Sequence, residues 1–234
     1  MMRPSPASPD AQIEPLLAEW AEIAARAARV TAAWQPALER MAAEEAGLRS
    51  AGRWVHGRDD FLGVLGLERD EIRHSRMVAW LFDPCAPHGL GDRVLAGVLR
   101  AAFGDDLPES AFATLGAARP TCEVVRDDCR IDVLVRSGAL TLVVENKVDA
   151  DEGDGQCDAY FARFQQEPGA RFLFLTPTGR APRSATGDAR EAFRSISYAT
   201  LRTVLRDALA AADPPGDGAS VARDYLRTLQ REFP

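Results

Sequence analysis

The sequence predicts an α/β fold, a central mixed β-sheet flanked by helices, with a helical segment ahead of it. Three features of the pattern lead there. Apolar residues recur at helical spacing over residues 11–52 and 68–103. The period then changes to strand-like alternation over residues 122–147, on either side of Ser137-Gly138. Beyond that point helical stretches alternate with short apolar runs, the pattern of parallel strands joined by crossovers. The resulting core order is α-β-β-β-α-β.

Residues 1–10 are rich in proline and serine and carry no apolar stripe, so a disordered leader is expected there. Residues 11–52 are expected to form a helical hairpin packed on the main domain. Its first helix carries Ile13, Leu16, Leu17, Trp20, Ile23, Ala24 and Ala27 on one face. Its second is expected from Pro36, since proline suits a first turn. Leu38, Met41, Ala42 and Leu48 form its stripe, which Glu45 interrupts, and Ser50-Ala51-Gly52 ends it.

The main domain is expected over residues 53–234. A helix from Glu68 to Phe82 stops at Asp83-Pro84, because the residue before proline disfavours the α region. His88-Gly89-Leu90-Gly91-Asp92 is a turn. A helix striped by Val94, Leu95, Val98 and Leu99 follows, and residues 104–121 read as loop or short helix. Ile131, Val133 and Val135 then alternate with Arg130, Asp132 and Leu134. The run Leu140–Val144 is apolar on both faces, so it belongs in the middle of a sheet. A helix over about 153–166, a buried strand over 171–176 and a short strand over 195–198 come next. Helices over 199–212 and 219–232, separated by the linker 214–218, complete the chain.

The formal net charge of −7 argues against binding a polyanion through bulk charge. A metal ion can reverse the sign of an acidic site locally, so nucleic acid is not excluded. Cys85, Cys122, Cys129 and Cys157 contain no C-x-x-C pair. They read as reduced, mostly buried thiols of a cytoplasmic protein rather than as zinc ligands. No secretory signal is expected at the N-terminus, and no apolar run reaches the roughly 18–20 residues needed to span a bilayer.

The residues that point to chemistry are Asp132, Glu145 and Lys147. Side chains alternate along a strand, so Glu145 and Lys147 share a face. If Arg136 pairs with Ala139 around Ser137-Gly138, Asp132 falls opposite Val143, on that same face and diagonal to Glu145. Two carboxylates placed so closely need cationic balance. Lys147 supplies part of it, and a hard divalent ion would supply the rest. The other reading is a structural ion pair between Glu145 and Lys147.

Arg130-Ile131-Asp132-Val133, then Val144-Glu145-Asn146-Lys147, then Gln156-x-x-x-Tyr160 resembles the PD-(D/E)xK nuclease pattern. The last element is similar to that of RecB-type nucleases. The upstream strings Asp70–Pro84 and His88–Asp92 resemble the subfamily known simply as PD-(D/E)xK nuclease family proteins. The resemblance covers roughly residues 68–200, and Ile131 stands where the family's proline would be. It implies a restriction-endonuclease-like core and hydrolysis of nucleic acid, DNA favoured, in bacterial defence or repair. It also implies Mg²⁺ or Mn²⁺ held by Asp132, Glu145 and the Asn146 carbonyl, with Lys147 assisting the attacking water. Glu71 matches an extra acid that reaches the metal directly or through water.

Several residues admit two readings. Glu71 shares a helical face with His74, Ser75 and Val78, yet a first-turn acid is also favoured by the helix dipole. His74 reads as a phosphate contact or a hydrogen-bonded core histidine. Gln156 and Tyr160, at i and i+4, read as site residues or as a surface glutamine beside a core tyrosine. The turn at His88 to Asp92 reads as a ligand approach or as an N-cap by Asp92. Arg180 and Arg183 read as phosphate contacts or as a solvated loop. Two rivals to the enzyme stand: a nuclease-fold binding module, and a nuclease silent outside a larger assembly. A homo-oligomer or partner protein is expected to engage the N-terminal helices.

Overall fold

The computed structural model describes residues 9–54, 56–126, 129–212 and 217–234. The chain divides into two compact units, residues 1–57 and 58–234. In the first, α1 (Pro9–Ser50) is one helix of 42 residues. The helical hairpin expected over 11–52 is therefore corrected to a single rod. The stretch Ala28–Gln35 contains no glycine, asparagine, aspartate or proline that could turn the chain. Pro36 lies inside the helix and not at a start. Its missing N–H and ring clash are tolerated within good helix formers on both sides. Of the expected disordered leader, residues 1–8 lie outside the described residues, and Pro9 and Asp10 are already helical.

The second unit begins with α2 (Phe61–Val64), α3 (Glu71–Phe82), α4 (Arg93–Phe103) and the short α5 (Glu109–Phe112). The strands β1 (Arg119–Arg126), β2 (Cys129–Ser137) and β3 (Leu140–Asn146) follow. After α6 (Gln156–Phe164) come β4 (Ala170–Thr176), α7 (Gly187–Ala192) and β5 (Phe193–Ser197). The chain closes with α8 (Tyr198–Ala210) and α9 (Ala219–Glu232). The expected linker over 214–218 lies largely outside the described residues.

The five strands lie in the order β1-β2-β3-β4-β5. β1, β2 and β3 run antiparallel, and β3, β4 and β5 run parallel, so the expected mixed sheet is present. Every residue of β3 is buried, as its apolar run on both faces required. β1 starts at Arg119, inside the expected loop. Pro120 is its second residue, since proline is tolerated on an edge strand.

Two apolar clusters sandwich the sheet. On one face Val133, Leu142, Val144 and Leu173 pack with α3, α4, α8 and α9. On the other Leu134, Val143, Phe172 and Phe174 pack with α6 and α7. Burying these large side chains at about 25 cal/mol per Å² is the main stabilising contribution. Val133 belongs to the first cluster and Ile131 to the second, so strand alternation breaks at Asp132. Glu123, opposite Asp132 in the β1–β2 register, has a φ of 55° and falls in a gap of that ladder.

The hairpin register differs from expectation. Ser137 pairs with Leu140 around Gly138-Ala139, and Leu134 with Val143. The slip is two residues, so the side chains from Val133 to Ser137 keep their expected faces, while the break at Asp132 moves Ile131 to the other face. Asp132 lies past the last pair of that ladder and meets β3 through its carboxylate, which accepts from Asn146 N at 2.8 Å. The pairing of β2 with β3 stops at Val133 and Val144, while β3 continues against β4 to Asn146. The two strands part where the polar residues begin.

Candidate active site

Glu145 is the most constrained residue of the sheet end. Its side chain has no solvent exposure, and its Oε1 accepts from Lys147 Nζ at 2.8 Å and from Gln156 Nε2 at 2.7 Å. Its Oε2 is buried without a hydrogen-bond partner. Burial, together with the negative charge of Asp132, pushes the Glu145 carboxyl up to about 8, against the pull of Lys147. Asp132 is half-buried, and burial raises its carboxyl too, while the Asn146 N–H it accepts at 2.8 Å works the other way. Burial alone would lower the Lys147 ammonium. Glu145, Glu71 and Asp132 outweigh it and hold the ammonium above its ordinary value, so Lys147 stays charged.

Helix α3 delivers Glu71. Asp70 caps the helix by accepting from Arg73 N at 3.0 Å, which fixes Glu71 in the first turn. Glu71 Oε1 accepts from Lys147 Nζ at 3.1 Å and its Oε2 from Val148 N at 3.0 Å. The alternative of a solvent-facing dipole acid is therefore excluded. Lys147 stands between two carboxylates, one from the sheet and one from α3.

Helix α6 delivers Gln156 and Tyr160. Gly155, with a φ of 61°, takes the left-handed conformation just ahead of this helix, which a side chain would resist. Gln156 Nε2 donates to Tyr160 Oη at 2.7 Å as well as to Glu145, and Tyr160 Oη donates to the Arg130 carbonyl at 2.5 Å. The pair thus ties β2, β3 and α6 together at the site.

Asn146 faces the opposite way, and its role was not legible in the sequence. Its Nδ2 donates to the Glu71 carbonyl at 3.1 Å and to Ser75 Oγ at 3.0 Å, and its Oδ1 accepts from Tyr198 Oη at 2.7 Å. This amide clamps α3 and α8 to the strand that carries Glu145. Asn146→Ala strands the fully buried Tyr198 hydroxyl and two partners on α3. It is expected to destabilise the fold by on the order of 2–4 kcal/mol, measured by urea melts. Substrate-free stability unchanged from the parent would refute the clamp.

A family model for the PD-(D/E)XK nuclease superfamily matches residues 59–227. The chain belongs to this superfamily. No curated protein and no solved structure matches it. The α/β fold, with a mixed sheet whose central strand ends in Glu145-Asn146-Lys147, is the restriction-endonuclease-like core expected for the superfamily.

Not all candidates converge. His74 is buried between Tyr225 Oη and the Glu68 carbonyl, both at 2.8 Å, and burial lowers its pKa. It is a core histidine. His88 is also buried, with Nδ1 accepting from Leu90 N and Nε2 facing the Trp80 carbonyl. Asp92 occupies the N-cap position of α4 without a side-chain cap bond, so that explanation of the turn fails. The Arg180 guanidinium is engaged with Glu152 and lies 5.2 Å from the Phe174 ring centre. Arg183 is exposed. Both arginines, with Lys147, Asp149, Asp151 and Thr176, line a cavity of about 290 Å³ beside the site.

Two carboxylates, Asp132 and Glu145, are the oxygen donors that a hard cation could meet at the strand end. Among the described residues no three His, Cys, Asp or Glu side chains come together as a metal cluster. Asp132 and Glu145 are two carboxylates, and Glu145 Oε2 has no other partner. Mg²⁺ is commonly held by one or two carboxylates while keeping several waters. Glu71 has both oxygens occupied by Lys147 and Val148, which points its role at Lys147.

Proposed function

We propose that the chain is a metal-dependent phosphodiesterase that hydrolyses nucleic acid, with DNA favoured. The observation that carries this reading is the partnerless, buried Oε2 of Glu145, a carboxylate beside Asp132 whose other oxygen, Oε1, accepts from a charged lysine. A merely structural ion pair gives no reason for a second, unsatisfied acceptor.

Asp132, Glu145 and the Asn146 carbonyl would hold Mg²⁺ or Mn²⁺, which when bound polarises a phosphoryl oxygen and acidifies a water. One strand residue points its N–H and C=O to the same edge. The Asn146 N–H donates toward β2, so its carbonyl turns to the side of Asp132. Lys147 would orient the attacking water or stabilise charge developing on the phosphoryl group. Glu71 positions the Lys147 ammonium. Gln156 holds Glu145 Oε1 and leaves Oε2 free, and Tyr160 fixes Gln156 in turn.

The cavity beside Lys147 is where a phosphate backbone would run. Glu152 orders its rim, accepting from Arg180, from the Arg183 and Ser184 N–H groups and from Ser184 Oγ. Burial opposes ionisation of Glu152, but these donors outweigh it and hold the carboxyl at about 2. The Arg183 side chain then projects from a fixed backbone. Arg183→Ala is expected to weaken DNA binding about equally for all sequences and to lower the salt slope by about one, read by fluorescence anisotropy at several salt concentrations. An unchanged slope would place Arg183 outside the interface.

The function itself is tested by incubating the full chain with linear, circular and single-stranded DNA and with RNA. Cleavage is expected with Mg²⁺ or Mn²⁺ and none with EDTA. Salt-sensitive DNA binding without cleavage of any substrate would favour the binding module. No helix among the described residues is long and apolar enough to cross a membrane. A cytoplasmic setting in bacterial defence or repair rests on the family resemblance alone.

A further inference from the structure

Helix α1 leaves its apolar side chains uncovered. Trp20, Trp34, Leu17, Leu38 and Met41 are 56–69% exposed. Their spacing is not that of a helix lying on a globular surface. Positions 13, 17, 20, 24, 27, 31, 34, 38, 41, 45 and 48 alternate steps of four and three residues, all apolar except Thr31 and Glu45. That is a 3.5-residue period held over five heptads, and a seam so straight keeps facing one partner helix. Residues 16, 23 and 30 widen it with Leu16, Ile23 and Val30. Pro15 and Pro36 sit three heptads apart on the outer face, with Glu22 and Arg29. Helices curve with their convex side to solvent, so prolines there bend the rod around whatever covers the seam.

We infer that α1 is an assembly helix whose seam is covered by α1 of a second copy of this chain, running antiparallel. Length argues for a helical partner. At 1.5 Å per residue α1 is about 63 Å long. A compact unit the size of residues 58–234 has a radius of gyration of about 16 Å, hence a diameter of roughly 40 Å. It is too short to cover the seam from end to end, whereas an identical rod matches it. Area is also sufficient. Each tryptophan can bury about 150–250 Å², so four of them across two copies supply most of the roughly 1,000 Å² that a specific interface needs.

Direction follows from which residues would meet. A parallel pair in register sets Glu45 against Glu45, Trp20 against Trp20 and the small Ala24 and Ala27 against themselves. It buries like charges and leaves voids. The antiparallel pair sets Leu17 against Leu48, Ala24 against Met41, Ala27 against Leu38 and Thr31 against Trp34. In the three central layers small meets large, as close packing requires. Glu45 then lies opposite Trp20, already paired with Arg49 of its own helix at 2.7 Å. Glu14 and Arg49 of opposite copies fall side by side at the flank.

The test is sedimentation equilibrium of the full chain. A particle of twice 25.4 kDa is expected at micromolar concentration. Trp34→Glu with Leu38→Glu should yield a monomer, while Arg29→Glu on the outer face should stay dimeric. The melting transition of residues 58–234 should be the same in all three. In a Cys85→Ser background, oxidising an equal mixture of Leu17→Cys and Leu48→Cys chains should give the mixed disulfide. A monomeric parent, a higher oligomer, or a dimer that survives the seam changes would overturn the inference. Disulfide formation by Leu17→Cys chains alone would overturn the antiparallel arrangement.

Discussion

Lys147→Ala is expected to lose cleavage by about 10²–10³-fold while keeping its fold, which is the loss typical of removing one transition-state contact. The structure gives a reason for the fold to survive. Without the ammonium, Glu145 loses one donor but keeps Gln156, and its carboxyl, already raised to about 8, takes up a proton more readily. Glu71 keeps the Val148 N–H. A structural ion pair predicts the reverse. Stranding a buried charge then costs roughly 3–5 kcal/mol, and residual activity follows the folded fraction. Thermal melts run beside cleavage assays, on a substrate the parent cuts with Mg²⁺ or Mn²⁺, separate the two. An early-melting Lys147→Ala whose folded fraction cuts at the parent rate would end the catalytic assignment.

The face that carries Glu145 and Lys147 was legible because strand alternation is a local rule. The hairpin parity survived a wrong turn assignment for the same reason. Placing the turn at Ser137-Gly138 rather than Gly138-Ala139 shifts the partner by two residues, which leaves the faces unchanged back to Val133; the break at Asp132, which moves Ile131 to the other face, had no local sign. Gln156 and Tyr160 were likewise readable at helical spacing from the strand end. Asn146 was expected to contribute only its carbonyl, because nothing near it in the chain announces Ser75 or Tyr198. Such clamps depend on how helices distant in sequence pack, which no window of residues contains. Helix α1 failed for another reason. A proline at a helix start and one inside a helix look alike, and only the missing turn residues ahead of Pro36 separate the cases.

In EDTA, stability should fall as pH rises from 6.5 to 8, and Glu145→Gln should flatten that fall. The folded Glu145 carboxyl keeps its proton up to about 8, whereas an unfolded chain gives it up at about 4.5. Between those values the folded state binds more protons, so stability present at the lower pH is lost as pH rises through the folded value. One proton accounts for up to about 1.4 kcal/mol per pH unit. Asp132, raised by burial as well, acts with the same sign, so the Glu145→Gln comparison is what assigns the fall to Glu145. His74 and His88, lowered by burial, act with the opposite sign and only below about 6.5. Cys122 and Cys157, raised by burial, act only near and above 9. Holding a divalent ion requires the carboxylate and so releases that proton. The rise in Tm on adding Mg²⁺ or Mn²⁺ should therefore grow across the same window and be absent in Glu145→Gln. A Tm that is flat or rising from pH 6.5 to 8 in EDTA would mean that Lys147 already holds Glu145 ionised. The second oxygen would then be no vacant ligand of a protonated acid, and the argument for a cation at this strand end would lose its physical basis.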